Sequence, residues 1–396
     1  MATIENKGGN KWILKVSDGY EESGKRRRLT KKFEGTEKQA QRAAILFEEE
    51  IKNGQYCELG KNFTLSEFTK IWIKDYGDKH LAPATLERYR GMLETRILPL
   101  IGHLKMDKIK PLTINRWLNE LSEMPRRDGK EGVLSDQSIK HHYRCLSAIM
   151  QDAVEWDVIS QNPCARVKTP QVKKKQVECF EENEVETLID LLEGEPLKNK
   201  ALVYLAIASG AREGEIMGLE WKHLDFTKNT ITIEQSSQYI PGKGTFTKTP
   251  KNESSVRTID MPENVMLLLK TYRMEWLERK MEIANLWQGS ERLFVTWDGK
   301  PGYPGYPGKW FNKFVRKHGL RHLTFHSLRH LSITILLNSN MPIKNVSKRA
   351  GHTVVGTTTD TYGHTLQRVD RTAADILGKT FEKSKIKNGH QSVTKQ

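Results

Sequence analysis

Helical periodicity over residues 65–167 constrains the fold of this chain more than any other feature. Thr64 and Glu67 form a capping-box pattern at its start, and Pro83 and Pro111 stand where further helices are expected to begin. Apolar residues recur at spacings of three and four, the pattern of helices that bury one face. The stretch therefore predicts an all-helical bundle of about a hundred residues, a common size for one domain.

The whole chain has 396 residues, which is too many for one ordinary domain. Before the helical stretch, alternation predicts a strand at 11–16 and a second, very basic strand at 25–33, with a helix over 37–52. After it, helix and strand patterns are mixed, with a helix predicted over 213–221 and loops predicted over 243–251 and 302–308. We predict a first domain at 1–60, a helical domain at 61–168, a linker at 169–176, a mixed domain at 177–383 and a disordered tail at 384–396.

The charge balance favours a polyanionic partner. Lys and Arg number 64 against 49 Asp and Glu, a net charge of +15 with a pI near 9.4. Six of the eight residues at 25–32 are basic, and a small sheet carrying them can enter a DNA groove, although a solvated sheet edge is the alternative. The side chains predicted to contact DNA are Lys25, Arg26, Arg27, Arg28, Lys31 and Lys32, together with Lys173, Lys174 and Lys175 of the linker.

Targeting and redox features are few. No apolar run approaches the roughly 20 residues of a membrane span, and the N-terminus lacks a signal-peptide core. Cys57, Cys145, Cys164 and Cys179 are scattered without a CxxC pair, so neither a zinc site nor a disulfide framework is indicated. We expect a cytosolic protein with reduced thiols and no membrane partner.

A set of cations and one phenol carries the chemistry. His326 and Arg329 are three residues apart, so on a helix they share a face. Arginine can bind two phosphate oxygens at once, and a second candidate, Arg212, lies upstream. Tyr362 is a poor nucleophile unless its proton is removed and the developing charge is stabilised. Each residue alone is usually structural, but the combination fits attack on a phosphodiester. No carboxylate cluster suited to magnesium accompanies it, which argues against a two-metal nuclease.

The order and spacing of these residues resemble the motif series of the tyrosine recombinases, the phage-type integrase family. The matching motifs are Gly210-Ala211-Arg212-Glu213-Gly214-Glu215 with Gly218-Leu219 and Trp221, then His326-Ser327-Leu328-Arg329-His330, Gly351-His352 and Asp360-Thr361-Tyr362. The helical block resembles the family's core-binding domain, and residues 1–60 resemble the arm-binding module of integrases from Gram-positive phages and conjugative transposons. The resemblance implies a small α+β arm-binding module, an all-α core-binding bundle and a mainly α catalytic domain with a small β-sheet.

The resemblance also implies how the phosphodiester is broken. Tyr362 would attack it to form a 3′-phosphotyrosine and release a 5′-hydroxyl. Arg212 and Arg329 would hold the scissile phosphate and stabilise its transition state. Because the covalent link keeps the bond energy, no ATP, metal or other cofactor is expected.

Further roles follow from the same resemblance. His326 would assist proton transfer, and His352 would hydrogen-bond the phosphate or the leaving oxygen. Glu215 would orient Arg212. Lys251 would be the general acid toward the leaving oxygen, with Lys248 as the rival in another register of the same loop.

At the level of function, the resemblance implies a site-specific recombinase that integrates and excises a mobile element in a bacterial cytoplasm. Its partners would be double-stranded DNA at core and arm sites, three further copies of itself in a tetramer, and a directionality factor as a candidate. A helix over 366–383 would dock either on a neighbouring protomer or on its own domain. The alternatives are a type IB topoisomerase, a non-catalytic DNA-binding regulator and a metal-dependent nuclease.

Overall fold

The structure, a computed structural model, describes residues 2–20, 26–52, 62–172, 180–248 and 256–351. The chain divides into two compact units, residues 1–174 and 175–396. Within the described ranges, no helix is both long and apolar enough to cross a lipid bilayer.

The first unit begins with a three-stranded antiparallel sheet covered by one helix. The elements are β1 (Thr3–Asn6), β2 (Lys11–Tyr20), β3 (Arg26–Glu34) and α1 (Glu37–Lys52), with the strands in the order β1-β2-β3. Their shared core consists of Leu14, Val16, Leu29, Ala40, Ala44 and Phe47. The two predicted strands and the helix are confirmed. Strand β1 was not predicted, because Thr3–Asn6 holds a single apolar residue and so shows no apolar alternation.

A helical bundle completes the first unit. Its helices are α2 (Leu65–Trp72), α3 (Asp78–His80), α4 (Pro83–Met92), α5 (Leu98–Ile101), α6 (Pro111–Glu123) and α7 (Asp136–Glu155). The predicted capping box is present, since Thr64 Oγ1 accepts the Glu67 N–H at 3.2 Å and Glu67 Oε2 accepts the Thr64 N–H at 2.7 Å. Helix α7 begins at Asp136, because the Ser135 hydroxyl accepts the Ser138 N–H and caps the helix.

The second unit is mainly helical with two small sheets. Its helices are α8 (Glu182–Leu192), α9 (Leu197–Ser209), α10 (Glu213–Ile216), α11 (Glu263–Ile283), α12 (Tyr306–Lys317), α13 (His326–Asn338) and α14 (Ile343–Ala350). Its strands are β4 (Leu224–Asp225), β5 (Thr230–Ile233), β6 (Ser236–Ile240), β7 (Gly244–Lys248) and β8 (Arg257–Asp260), arranged as a β4-β5-β8 sheet and a β6-β7 hairpin. Buried residues of both classes of element form one core.

Three local predictions in this unit were wrong. The helix predicted over 213–221 ends at Ile216, where the chain turns against β6; a Cβ on Gly218 would lie 2.9 Å from the Gln235 carbonyl oxygen. The loop predicted over 243–251 contains strand β7. This strand pairs with β6, the strand that follows β5 in sequence. The loop predicted over 302–308 already contains the start of α12 at Tyr306, because proline is tolerated in a first helical turn.

Candidate active site

Arg212 lies in the tight turn between α9 and α10. Helix α9 ends at Ser209 and is capped by Gly210, whose φ of +62° is left-handed and favours glycine. A Cβ there would also lie 3.2 Å from the Ser332 hydroxyl oxygen. Arg212 follows in extended backbone as the first residue before α10, and its side chain is 45% exposed. The turn therefore leaves the guanidinium accessible from solvent.

Glu215, one helical turn later, holds Arg212 at two points. Its Oε1 accepts from Arg212 Nη1 at 2.8 Å, and its Oε2 accepts the Arg212 backbone N–H at 3.0 Å. Oε2 also accepts from Arg257 Nη2 at 2.6 Å. Burial raises the pKa of this carboxyl, but the hydrogen bonds and charges of Arg257 and Arg212 outweigh it, so the pKa is lowered. Glu215 is thus a carboxylate placed to orient Arg212.

Arg329 reaches the same turn from helix α13. Its side chain is buried, and its Nη1 donates to the Gly210 carbonyl oxygen at 2.6 Å. Arg212 stands two residues after that carbonyl, and its own Nη2 donates to the Gly351 carbonyl oxygen at 3.0 Å. Contacts across 119 and 139 residues of sequence therefore bring two guanidinium groups to one turn.

His326 opens the same helix as Arg329, as the spacing of three predicted. Its ring stands edge-to-face with the ring of His330, with centroids 4.8 Å apart. Partial burial and the positive charges of Arg329 and Arg212 lower the pKa of His326. The imidazole is therefore neutral near pH 7, the form that can accept a proton.

Several predicted site residues lie outside the described residues. They are Lys25, Lys173, Lys174, Lys175, Lys251, His352 and Tyr362. Lys248, the rival to Lys251, is the last residue of β7. The described part of the predicted site is thus the group of Arg212, Glu215, His326 and Arg329.

The predicted DNA-contacting cations of β3 divide between two faces of the sheet. Lys31 lies on the face covered by α1, where its Nζ donates to Glu50 Oε2 at 3.0 Å and lies 5.3 Å from the Phe47 ring centroid. Arg28 and Lys32 are an odd number of positions from Lys31, so they lie on the opposite face, and both are exposed. The side chain of Lys31 is therefore turned toward α1 while those of Arg28 and Lys32 face solvent.

Sequence reasoning missed Arg257 and Arg349. Arg257 shares the buried face of β8 with Ile259, and Arg349 is half-buried near the end of α14. One signal was available, because a charge on the apolar face of a strand must be paired when it is buried. The partner, Glu215, lies 42 residues away in sequence, and no pattern near Arg257 identifies it.

Known proteins match both units. The model of the phage integrase family matches residues 178–368, and that of the phage integrase N-terminal SAM-like domain matches residues 64–122. A XerC-like tyrosine recombinase of Caldanaerobacter subterraneus subsp. tengcongensis is 28% identical over 394 residues, which cover 94% of this chain and 97% of that protein. The ICEBs1 integrase of Bacillus subtilis is 26% identical over 255 residues, covering 64% of this chain and 68% of that protein.

Solved structures share the fold. The Tn1549 transposon integrase, in complex with a circular intermediate DNA, superposes with a TM-score of 0.64 at 22% identity, over 80% of this chain and 99% of that one. A lambda integrase dimer bound to a core site gives a TM-score of 0.56 at 18% identity, over 76% and 95%. The helical bundle and the mainly helical second unit with its small sheets have the fold of these integrases. The chain belongs to the phage integrase family, the tyrosine recombinases. The predicted family and fold class are confirmed.

Proposed function

We propose that this protein is the integrase of a mobile element, which cleaves and rejoins DNA through Tyr362. The observation that carries the proposal is the meeting of Arg212 and Arg329 at the turn after α9. Among the described residues, the Arg212 guanidinium makes hydrogen bonds to Glu215 and Gly351, which leaves further donors of its five N–H groups for a phosphate. Two fixed guanidinium groups would stabilise the charge that develops on the phosphorus oxygens.

The covalent step would exchange one phosphoester for another. The Tyr362 oxygen would bond to phosphorus, the bond from phosphorus to the 5′ oxygen would break, and a 3′-phosphotyrosine would remain. His326 opens the helix that carries Arg329, and its neutral imidazole is the form that can take the phenol proton. Lys251, or Lys248 in the other register, would protonate the leaving 5′ oxygen. His352 would hydrogen-bond the phosphate or the leaving oxygen.

A recombinase must also hold its DNA, and we assign this task by domain. Residues 61–168 and 177–383 would each bind core-site DNA, with Lys173, Lys174 and Lys175 of the linker on the DNA backbone. The Tn1549 and lambda integrases were solved on DNA, which supports DNA as the partner here. We further propose a tetramer that joins two duplexes through a Holliday junction, a directionality factor that biases excision, and a place in the bacterial cytoplasm where chromosomal DNA lies.

Residues 1–60 would bind separate arm sites through the face of the sheet that α1 leaves uncovered. Arg28 and Lys32 lie on that face. Lys15 is there too, since it is an odd number of positions from the buried Leu14, and Glu5 forms ion pairs with Lys15 and Lys7. A sheet of this width can enter the major groove, where exposed cations would neutralise phosphates.

The test uses a suicide DNA substrate nicked beside the cleavage site, so that the 5′-hydroxyl fragment diffuses away. Wild type and Tyr362→Phe are incubated with it in EDTA, and denaturation-resistant protein–DNA complexes are counted. We expect an adduct with the wild type alone. An adduct with both proteins would assign the nucleophile to another residue. No adduct with either, on DNA whose binding footprinting has verified, would refute strand cleavage and favour a DNA-binding regulator.

A further inference from the structure

We propose that Arg257 is a positioning residue that couples Arg212 to the chain turn immediately before His352. The inference rests on the proposed function, since it concerns the geometry of the same phosphate-binding site. Arg257 lies on β8 and is only 8% exposed, so its charge must be matched by protein groups. One of its contacts leads to Arg212, and the other leads to the end of α14.

The first contact leads to Arg212. Arg257 Nη2 donates to Glu215 Oε2 at 2.6 Å, and the other oxygen of that carboxylate accepts from Arg212 Nη1 at 2.8 Å. The side chains of Arg257 and Glu215 are 6% and 12% exposed, so water screens this pair little. Because one carboxylate is shared between two arginines, a shift of Arg257 moves the group that orients Arg212.

The second contact leads to the end of α14. Arg257 Nε donates to the Arg349 carbonyl oxygen at 2.9 Å. Two residues later Gly351 adopts a φ of +69°, and a Cβ there would lie 2.6 Å from Arg257 Nη1 and 2.7 Å from Arg257 Cζ. The guanidinium therefore packs directly against the backbone of Gly351, the residue that precedes His352. Glycine is required at this position for its conformation and for this close approach.

The contacts close into a ring. Arg212 Nη2 donates to the Gly351 carbonyl oxygen, so Arg212, Glu215, Arg257 and Gly351 each touch the next. An arginine suits this place because its rigid fork donates from Nε and Nη2 in two directions, whereas lysine has one nitrogen. The ring implies that the Arg212 half of the site and the turn leading to His352 are placed together.

A separate attachment would keep α14 in place without Arg257. Arg349 Nη2 donates to the carbonyl oxygens of Ala208 and Asp260 at 2.8 and 2.9 Å, which fastens α14 to α9 and β8. Residues Ile333, Leu337, Val346 and Ala350 form an apolar contact between α13 and α14. Loss of Arg257 is therefore expected to disturb alignment more than folding.

The experiment measures single-turnover cleavage of the nicked core substrate at saturating protein. For Arg257→Met we expect a rate about 10²-fold lower with a dissociation constant within about threefold of wild type, because misplacement of reacting groups by about 1 Å has this cost. For Arg257→Lys, which restores one of the two hydrogen bonds, the loss should be about tenfold. Glu50→Gln, which breaks an exposed ion pair within residues 1–60, is the control and should cleave this core substrate at the wild-type rate.

A double-mutant cycle separates positioning from a general loss of structure. If Arg257 acts through Glu215, then Arg257→Met should slow Glu215→Gln by much less than it slows the wild type. Independent, multiplicative losses, or a wild-type rate for Arg257→Met, would overturn the inference. If Arg257→Met does not fold, the rate of Arg257→Lys decides, and a wild-type value refutes the proposal. Failure of the proposed function is distinguishable, because the wild type itself would then form no adduct on verified core DNA, or Tyr362→Phe would form one.

Discussion

The cations of the N-terminal sheet and those of the arginine site are held in opposite ways. Lys32 is exposed on β3, and strand alternation alone determines its face. Arg257 and Arg329 are buried, and their partners lie 42 and 119 residues away in sequence. The first arrangement suits a surface whose exposed cations neutralise phosphates as water and counterions are released. The second suits a site whose donors must be fixed before the phosphate arrives.

The two arrangements also differ in energy. Exposed ion pairs contribute at most about 1 kcal/mol and are screened by salt, whereas removing one partner of a buried pair costs about 3–5 kcal/mol. Variants in the arginine site should therefore lose reaction rate or stability. Variants on the sheet should lose DNA affinity and salt dependence instead.

The largest effect is expected from Arg212→Ala. Because Arg212 would contact the scissile phosphate directly, its loss should slow cleavage of the nicked core substrate by about 10²–10³-fold, with core binding nearly unchanged. Single-turnover rates at saturating protein measure this. Arg28→Ala, on the uncovered face of the sheet, is the matched loss of an exposed arginine and should leave the rate on a substrate without arm sites unchanged. Equal losses of cleavage rate in Arg212→Ala and Arg28→Ala would contradict the functional difference between the two regions.

The next effect concerns Glu215 and pH. Its pKa is lowered on folding, so its ion pairs stabilise the protein fully above the unfolded value near 4.5, and this stabilisation is lost as pH falls through the folded value. Glu215→Gln should therefore lower the free energy of unfolding by about 3 kcal/mol at pH 7, and the difference from wild type should shrink in acid. Urea unfolding between pH 3 and pH 7 measures both quantities.

Glu50→Gln is the matched control for that measurement. Glu50 pairs with Lys31 through side chains that are about 40% exposed, so its loss should cost less than about 1 kcal/mol at any pH. A constant difference between Glu215→Gln and wild type across the pH range would show that the charge of Glu215 does not stabilise the fold.

Sequence reasoning succeeded where the determinants are local. The capping box of Thr64 and Glu67 and the full extent of α1 follow from neighbouring residues, and both are confirmed. The family and the fold class were inferred from the resemblance of the motifs around Arg212 and Arg329 to those of the tyrosine recombinases, and both are confirmed. The prediction that His326 and Arg329 share a helix face depended only on the helix being predicted correctly, because the two residues are three positions apart.

Sequence reasoning failed where a structural feature depends on contacts between residues that are distant in sequence. Strand β7 was predicted as part of a loop, since it gains its order from pairing with β6 rather than from an apolar alternation. Arg257 was overlooked because its acceptors, Glu215 and Arg349, lie 42 and 92 residues away. Lys31 was grouped with Lys32 because charge density was read without the strand period that separates their faces.

A smaller effect tests that separation directly. Lys32→Ala should weaken binding of a duplex that carries the arm site and reduce the slope of log affinity against log salt by about 1, because one phosphate contact is lost. Lys31→Ala removes the same charge from the opposite face, where Lys31 is engaged by Glu50. Lys31→Ala should therefore change the logarithm of the affinity by less than half as much as Lys32→Ala does. Fluorescence anisotropy over a range of salt concentrations measures both, and equal slopes for the two variants would contradict the assigned face.

The smallest effect is expected from Glu5→Gln, and it has the opposite sign. Glu5 forms ion pairs with Lys15 and Lys7, and hydrogen bonds from Lys15 and Lys7 lower its pKa to about 2, so it is charged throughout the physiological range. It therefore competes with phosphate for the cations of this face. Removing its charge should tighten arm-site binding by about two- to fivefold at low salt, and the gain should vanish at high salt because exposed pairs are screened. Unchanged or weaker binding at low salt would mean that Lys15 and Lys7 do not face the DNA.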